Sequence, residues 1–311
     1  MERKASPEST SRNSLKLLSI ITLISAFSQV ALGGYVRSSE SGLGCPDWPL
    51  CHGQLIPPME FHTLIEYSHR LNASLLMLFV VALFVVSWVR YRDEKSVFIL
   101  SGSSVGLVLS VAILGGITVL TELEWWVRLI HLTLAELLIG TIVGVVWLAF
   151  SPQMLDSATL RPIYTYKWKP KLWFMAIGLL LLIISGSYMV GTGAGSACAS
   201  WPLCRGELFP QGSTYAIHMG HRYIAALMLI IAGYIGWSFI KKDGEIPGLK
   251  RASMGLIHSM LLQIIIGAVL VWSGFNPVLK TIHLALATLI WIAAIYLISC
   301  VLQNNSRYSK V

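Results

Sequence analysis

Eight apolar runs, each close to the length that crosses a bilayer, recur along this chain. They cover about 15–36, 63–89, 97–120, 126–150, 171–192, 214–240, 250–273 and 277–302. A helix needs about 20 mostly apolar residues to cross the hydrocarbon core. A membrane β-strand would instead show alternating segments of about 10 residues. These runs are longer and continuous, so the chain reads as an all-α integral membrane protein with eight transmembrane helices. Its composition agrees: 55% hydrophobic and 12% charged residues, where soluble domains carry about 25% charged.

The net charge of +8 raises nucleic acid as a partner, but its distribution speaks for a membrane. Arg3, Lys4, Arg12 and Lys16 precede or open the first run. Arg90, Arg92 and Lys95 lie between runs two and three. Arg161, Lys167, Lys169 and Lys171 lie between four and five. Lys241, Lys242, Lys250 and Arg251 lie between six and seven, and Arg307 and Lys310 follow run eight. With eight spans, all of these fall on one side. The positive-inside rule makes that side cytoplasmic, with both termini inside. The expected setting is a bacterial plasma membrane, with the lipid bilayer as partner and no nucleic acid. The first 14 residues are polar and the first run is long, so neither a cleaved signal nor a transit peptide is expected.

The chain also repeats itself. "GGYVRSSESGLGCPDWPLCHG" from Gly33 aligns with "GSYMVGTGAGSACASWPLCRG" from Gly186, an offset of 153. "EYSHRLNASLLML" from Glu66 aligns with "HMGHRYIAALMLI" from His218, and "RLIHLTLA" from Arg128 with "KTIHLALA" from Lys280, both at 152. Chance likeness between apolar helices would not keep Cys, Trp-Pro and His in register. A four-helix unit therefore reads as duplicated. An even number of spans per unit makes the repeats parallel, related by a pseudo-twofold axis along the membrane normal. The expected halves are 1–150 and 171–311. The polar stretch 151–170, with prolines at 152, 162 and 170, reads as a cytoplasmic linker.

Cys45, Cys51, Cys198 and Cys204 fall on the side opposite the basic loops, which is oxidising in bacteria. Two short-loop disulfides, Cys45–Cys51 and Cys198–Cys204, are expected there. Zinc is the rival, although zinc pairs usually have two to four intervening residues and these have five. Cys300 reads as an ordinary buried thiol.

Four histidines stand out: His69, His131, His221 and His283. Each lies about six residues into an even-numbered run, roughly 9 Å below the outer helix ends. A lone membrane histidine could be a hydrogen-bonded core residue; four, paired by repeat and level in depth, point to function. Zinc would need a third protein ligand. Two imidazoles across an apolar bundle suit haem iron, one site per half. Arg70 and Arg222 follow two of these histidines, and Arg128 and Lys280 precede the other two by three residues. They are candidates for haem propionates, or else interface anchors. Glycines recur beside these helices at 33, 34, 115, 116, 186 and 267. Close helix approach and a flat ligand against the backbone explain them equally well.

The halves part at position 66. Glu66 sits one turn before His69, where the second half has His218. A carboxylate there is costly without a task or a partner. It marks a reactive pocket, or else an i,i+4 salt bridge to Arg70. Glu136 points elsewhere around its helix, toward a proton path or an interhelical hydrogen bond. His258 and Gln263 have no polar counterparts, and His52 and His62 lie at the outer loop.

"EYSHR", "HRY", the single histidines of runs four and eight and the loop cysteine pairs resemble haem A synthase, over roughly residues 15 to 302. The resemblance implies oxidation of the C8 methyl of haem O to a formyl group, giving haem A for terminal oxidases. It implies haem b at His221 and His283 in the second half. It places haem O as substrate at His69 and His131, with Glu66 catalytic. Cys45 and Cys51 match the family's loop pair; Cys198 and Cys204 match only some members. Implied partners are haem O, a membrane electron acceptor such as quinone, haem O synthase and terminal-oxidase assembly factors. Two other classes stay open: a di-haem cytochrome exchanging electrons with quinone, and a haem carrier. A carrier would favour spans broken by Gly or Pro near mid-membrane, and the runs contain no internal proline.

Overall fold

The computed structural model describes residues 7–151, 162–241 and 249–302. Eight α-helices follow one another: α1 (Pro7–Ser38), α2 (Phe61–Tyr91), α3 (Lys95–Leu120), α4 (Trp125–Phe150), α5 (Pro162–Gly191), α6 (Ser213–Ile240), α7 (Leu249–Trp272) and α8 (Pro277–Leu302). All eight are long and apolar enough to cross a membrane. Helix is the form this composition dictates, because lipid offers no partner to a backbone N–H or C=O.

Two expectations about the linker change. Residues 152–161 lie outside the described residues. From Pro162 the chain is helical, so 162–170 extend α5 instead of joining the halves. Pro162 suits a first helical position, where its missing N–H has no partner to lose. Pro170 then lies inside α5, just within its apolar stretch Trp168–Gly191. Pro170 has no amide hydrogen to donate to the carbonyl four residues earlier, so the helix runs on with one backbone bond missing in its interior.

Helices α1 to α4 close a ring, each packing on the next and α4 on α1. Helices α5 to α8 close a second ring in the same order. The rings meet where α8 touches α1 and α4, and where α4 touches α5. One apolar core runs through both, from Ala26, Val80 and Ile142 to Met175, Ala232 and Leu297. At the seam sits Glu136, fully buried. Thr288 donates to its Oε1 at 2.7 Å, and Trp291 Nε1 donates to its backbone carbonyl at 2.7 Å. Thr288 stands 152 residues after Glu136, so the two occupy matching places in the sequence repeat. Glu136 is thus an interhelical hydrogen-bonder, one of the two roles open to it.

The loops after α1 and α5 are built alike. Both carry a disulfide, Cys45–Cys51 and Cys198–Cys204, so these cysteines are not zinc ligands. Cys51 and Gln54 exchange backbone hydrogen bonds at 3.2 and 3.1 Å; Cys204 and Glu207 do so at 3.2 and 3.0 Å. Between them lie two residues with positive φ: His52 (55°) and Gly53 (68°), Arg205 (56°) and Gly206 (80°). That is the pattern of a two-residue hairpin turn, and it explains glycine at its second position. The Asp47 carboxylate accepts the His52 and Gly53 amides at 2.6 and 2.8 Å. In the other loop the Ser200 hydroxyl accepts the Arg205 amide at 3.0 Å. The Gly53 amide above all, with that of His52, holds the Asp47 pKa below the usual carboxylate range.

Candidate functional site

The histidines enter from the loop end of the even-numbered helices. His69 and His221 stand eight residues after the first residues of α2 and α6, and His131 and His283 six after those of α4 and α8. Measured from the helix starts, that is about 12 Å for one pair and about 9 Å for the other.

Each ring lies against a glycine of an odd-numbered helix. A Cβ built on Gly33 would stand 3.0 Å from Cε1 of His69, and one on Gly115 3.3 Å from Cε1 of His131. On Gly186 it would stand 3.1 Å from Cε1 of His221, and on Gly267 3.2 Å from Cε1 of His283. Any larger residue would press on the imidazole. These four glycines therefore set ring positions, which is neither of the two readings the sequence offered. Gly34 does serve helix approach, against Leu284 of α8, and Gly116 admits the indole of Trp48.

Hydrogen bonds fix which ring nitrogen is available in three of the four. Ser185 donates to the Leu182 carbonyl at 2.7 Å, so at 2.8 Å it accepts the Nδ1–H of His221. Nε2 of His221 then keeps its lone pair. Asn72 donates to Gln29 Oε1 at 2.8 Å, which leaves the Gln29 amide to donate to His69 Nε2 at 3.2 Å. Gln263 likewise gives its amide to His283 Nε2 at 3.3 Å and to the His283 carbonyl at 2.9 Å. Nδ1 of His69, His131 and His283 is buried without a partner. A lone pair on Nε2 is what a metal ligand needs, set by the proton on the other nitrogen. Two imidazoles per half, each in a glycine cradle inside an apolar bundle, would suit a haem iron. Among the described residues no cluster of three or more His, Cys, Asp or Glu could hold a bare metal ion.

Glu66 is buried, 4% exposed. Its Oε2 accepts the Cys45 amide at 2.9 Å, and its Oε1 pairs with Arg70 at 2.5 Å. The i,i+4 salt bridge is therefore formed. Arg70 also donates to the carbonyls of Cys45 (2.8 Å), Asp47 (2.6 Å) and Leu50 (2.6 Å). All four N–H groups of its two terminal nitrogens are engaged, so the side chain clamps the disulfide loop to α2. Arg222 does the same in the second half, reaching the carbonyls of Ser200 and Pro202, both at 2.9 Å, and His218 Nε2 at 3.1 Å. Because Nε2 of His218 accepts there, its Nδ1–H donates to the Ala194 carbonyl at 3.0 Å. The change from Glu to His thus follows a reversal in the loop, which offers an amide in one half and a carbonyl in the other. It also leaves one clamp electrically neutral and the other with a net positive charge.

The remaining candidates lie apart. Lys280 is exposed, whereas Arg128 keeps a buried Nε with no partner. His52 binds the Gly44 carbonyl at 2.9 Å, His62 the Ser41 hydroxyl at 2.9 Å, and His258 the Met254 carbonyl at 2.7 Å. Sequence reasoning passed over Gln29, Asn72, Ser185 and Arg37. A signal existed: each is polar in an apolar span, and its repeat counterpart is Leu182, Ile224, Leu32 or Val190.

The profile of the COX15-CtaA family, described as "Cytochrome oxidase assembly protein", matches residues 16–295. Among curated proteins the chain is similar to "Heme A synthase" of Symbiobacterium thermophilum, 30% identical over 280 residues, 86% of this chain and 89% of the relative. It is 28% identical to "Heme A synthase" of Staphylococcus carnosus over 306 residues, covering 96% and 97% of the two chains. To the protein of that name in an Exiguobacterium species it is 28% identical over 264 residues, 83% of each chain.

Proposed function

Because the chain belongs to the COX15-CtaA family of cytochrome oxidase assembly proteins, we propose that it oxidises the C8 methyl of haem O to a formyl group, giving haem A. Relatives covering most of its length carry the name "Heme A synthase". The observation that carries the reading here is the quartet of glycine-cradled imidazoles, two in each ring of helices.

In this reading the two rings are duplicated bundles, residues 1–150 and 171–311, related by an axis along the membrane normal. Both termini are cytoplasmic and the disulfide loops face outward, as the basic residues suggest. His69 and His131 hold haem O, the substrate. His221 and His283 hold haem b. When bound there, haem b supplies an iron that passes electrons one at a time toward a membrane acceptor.

The chain's own residues do the rest. Ser185 keeps the Nδ1 proton of His221 in place and so aims the Nε2 lone pair. Gln29 holds the ring of His69 until a ligand takes over its Nε2. Glycines 33, 115, 186 and 267 admit the rings without contact from a side chain. Glu66 ties the disulfide loop to the ligand helix one turn from His69. An ionised carboxylate there can take a proton released by the methyl oxidation, at whichever oxygen loses its present partner. The polar contacts of Glu66 favour a second reading of this one residue, as loop anchor alone.

Membranes expressing the chain, incubated with haem O and extracted, should yield haem A. Haem O recovered unchanged, with both haem sites filled, would leave a di-haem cytochrome instead.

A further inference from the structure

The loop end of the first ring carries two guanidinium groups that form no ion pair among the described residues. Arg37 lies one turn beyond Gly33 on α1, the glycine that touches His69. Residues four apart share a helix face. Arg128 lies three residues before His131 on α4, again one turn nearer the loops. Helices α1 and α4 pack on one another, which puts both groups at the same end of one ring. Among the described residues neither group forms an ion pair; the one salt bridge there is Glu66–Arg70. The Arg37 guanidinium has no hydrogen-bond partner among the described residues either, and Nε of Arg128 is buried and unpaired. Two half-buried guanidiniums without a carboxylate partner, one with a buried and unpaired Nε, are suited to receive an anion.

The second ring lacks this arrangement. Val190 stands at the place of Arg37, and Lys280, at the place of Arg128, is exposed. Arg70 cannot supply the missing contact to a ligand, because its terminal N–H groups are taken by loop carbonyls and Glu66.

We propose that Arg37 and Arg128 form a dicarboxylate clamp that holds the two propionates of the tetrapyrrole in the first ring, Arg37 being the residue that distinguishes this site from that of the second ring. The inference rests on the reading of His69 and His131 as the substrate site. Two guanidiniums one turn above two imidazoles match a flat ligand whose metal lies at the imidazoles and whose acidic edge faces the loops. Arginine suits this task because its planar fork meets a carboxylate with two parallel hydrogen bonds.

The test is a titration of purified protein, second-ring haem in place, with haem O and with its dimethyl ester, which has the same ring but no charged edge. Absorbance gives binding without turnover. Wild type should bind the free acid more tightly than the ester. Replacing Arg37 by Val, the residue at 190, or by Gln should weaken the free acid by about ten- to a hundredfold, the worth of a charge-assisted hydrogen bond. It should leave ester binding and the second-ring spectrum unchanged, and Arg37→Lys should retain most of the preference. A preference for the acid that survives both neutral variants, or an equal loss for acid and ester, overturns the clamp. His69→Ala with undiminished haem O binding would instead overturn the site reading itself, and the clamp with it.

Discussion

Replacing Glu66 by Gln removes one charge and swaps one acceptor for a donor. The two carboxylate oxygens face two donors, the Cys45 amide at 2.9 Å and Arg70 Nη2 at 2.5 Å. Glutamine has a single oxygen, so its NH₂ must face one of them, donor against donor. If it faces Cys45, a buried amide loses its partner, at a cost of about 1–3 kcal/mol. Losing the charge on the Arg70 side removes a charge-assisted bond worth about 1.5–3 kcal/mol. Three carbonyls still hold Arg70, so the full cost of a broken buried pair, about 3–5 kcal/mol, is not reached. The variant should lose about 2–4 kcal/mol, concentrated in the disulfide loop. Hydrogen exchange of the Cys45 amide should speed up by about 30- to 1,000-fold at 1.4 kcal/mol per decade, while loop 198–204 is unchanged. Haem A formation measured on the same preparation separates the roles. A proton acceptor should show a loss of about 10²–10⁴-fold; a loop anchor alone should keep turnover in the folded fraction. Unchanged exchange at Cys45 would refute the two-bond account. Near-normal haem A despite a loosened loop would refute the catalytic one.

Other outcomes follow from the same geometry. Alanine at Gly33, Gly186, Gly267 or Gly115 should disturb the facing histidine in that order, the order of the 3.0, 3.1, 3.2 and 3.3 Å approaches. Elsewhere in a helix Gly→Ala stabilises by about 1 kcal/mol, so a raised melting temperature with unchanged haem binding at Gly33 would contradict the cradle. His221→Ala or His283→Ala should abolish the second-ring low-spin haem spectrum in protein that still inserts; a normal two-histidine spectrum in both would remove that assignment. The Asp47 pKa is depressed in the folded protein, so its contribution is complete above the ordinary carboxylate pKa of about 4. It fades as pH falls through the lower folded value. Exchange at the His52 and Gly53 amides, corrected for intrinsic rate, should therefore accelerate in acid, while Arg205, held by the Ser200 hydroxyl, should not follow.

What the sequence determines here is whatever depends on local chemistry and on register. Run length and hydropathy suffice for eight helices, because a bilayer leaves an apolar segment of that size no other way to satisfy its backbone. The offsets of 152 and 153 are enough to pair His69 with His221 and His131 with His283. Five intervening residues, with the outer face that the basic loops led one to expect, were enough to foresee both disulfides. Pro162 and Pro170 misled: Pro162 opens α5, where proline fits, and Pro170 lies inside it, where the helix continues with one backbone bond missing. The glycines were undecided for a related reason. Their spacing says that something approaches closely; only the closed bundle shows that His69, His131, His221 and His283 do. Glu66 is the sharpest case. Its distance from Arg70 along α2 is a helical period and could be read directly. Its second partner, the Cys45 amide, comes from a loop whose path is set by the disulfide and by the carbonyls that Arg70 gathers. The same holds for Arg37, one basic residue among 23 in the sequence, which acquires meaning only when α1 packs on α4 and brings it to the same end of the ring as Arg128. Which residues are apolar or charged is written along the chain; which donor meets which acceptor is decided by the faces that the helices turn toward one another.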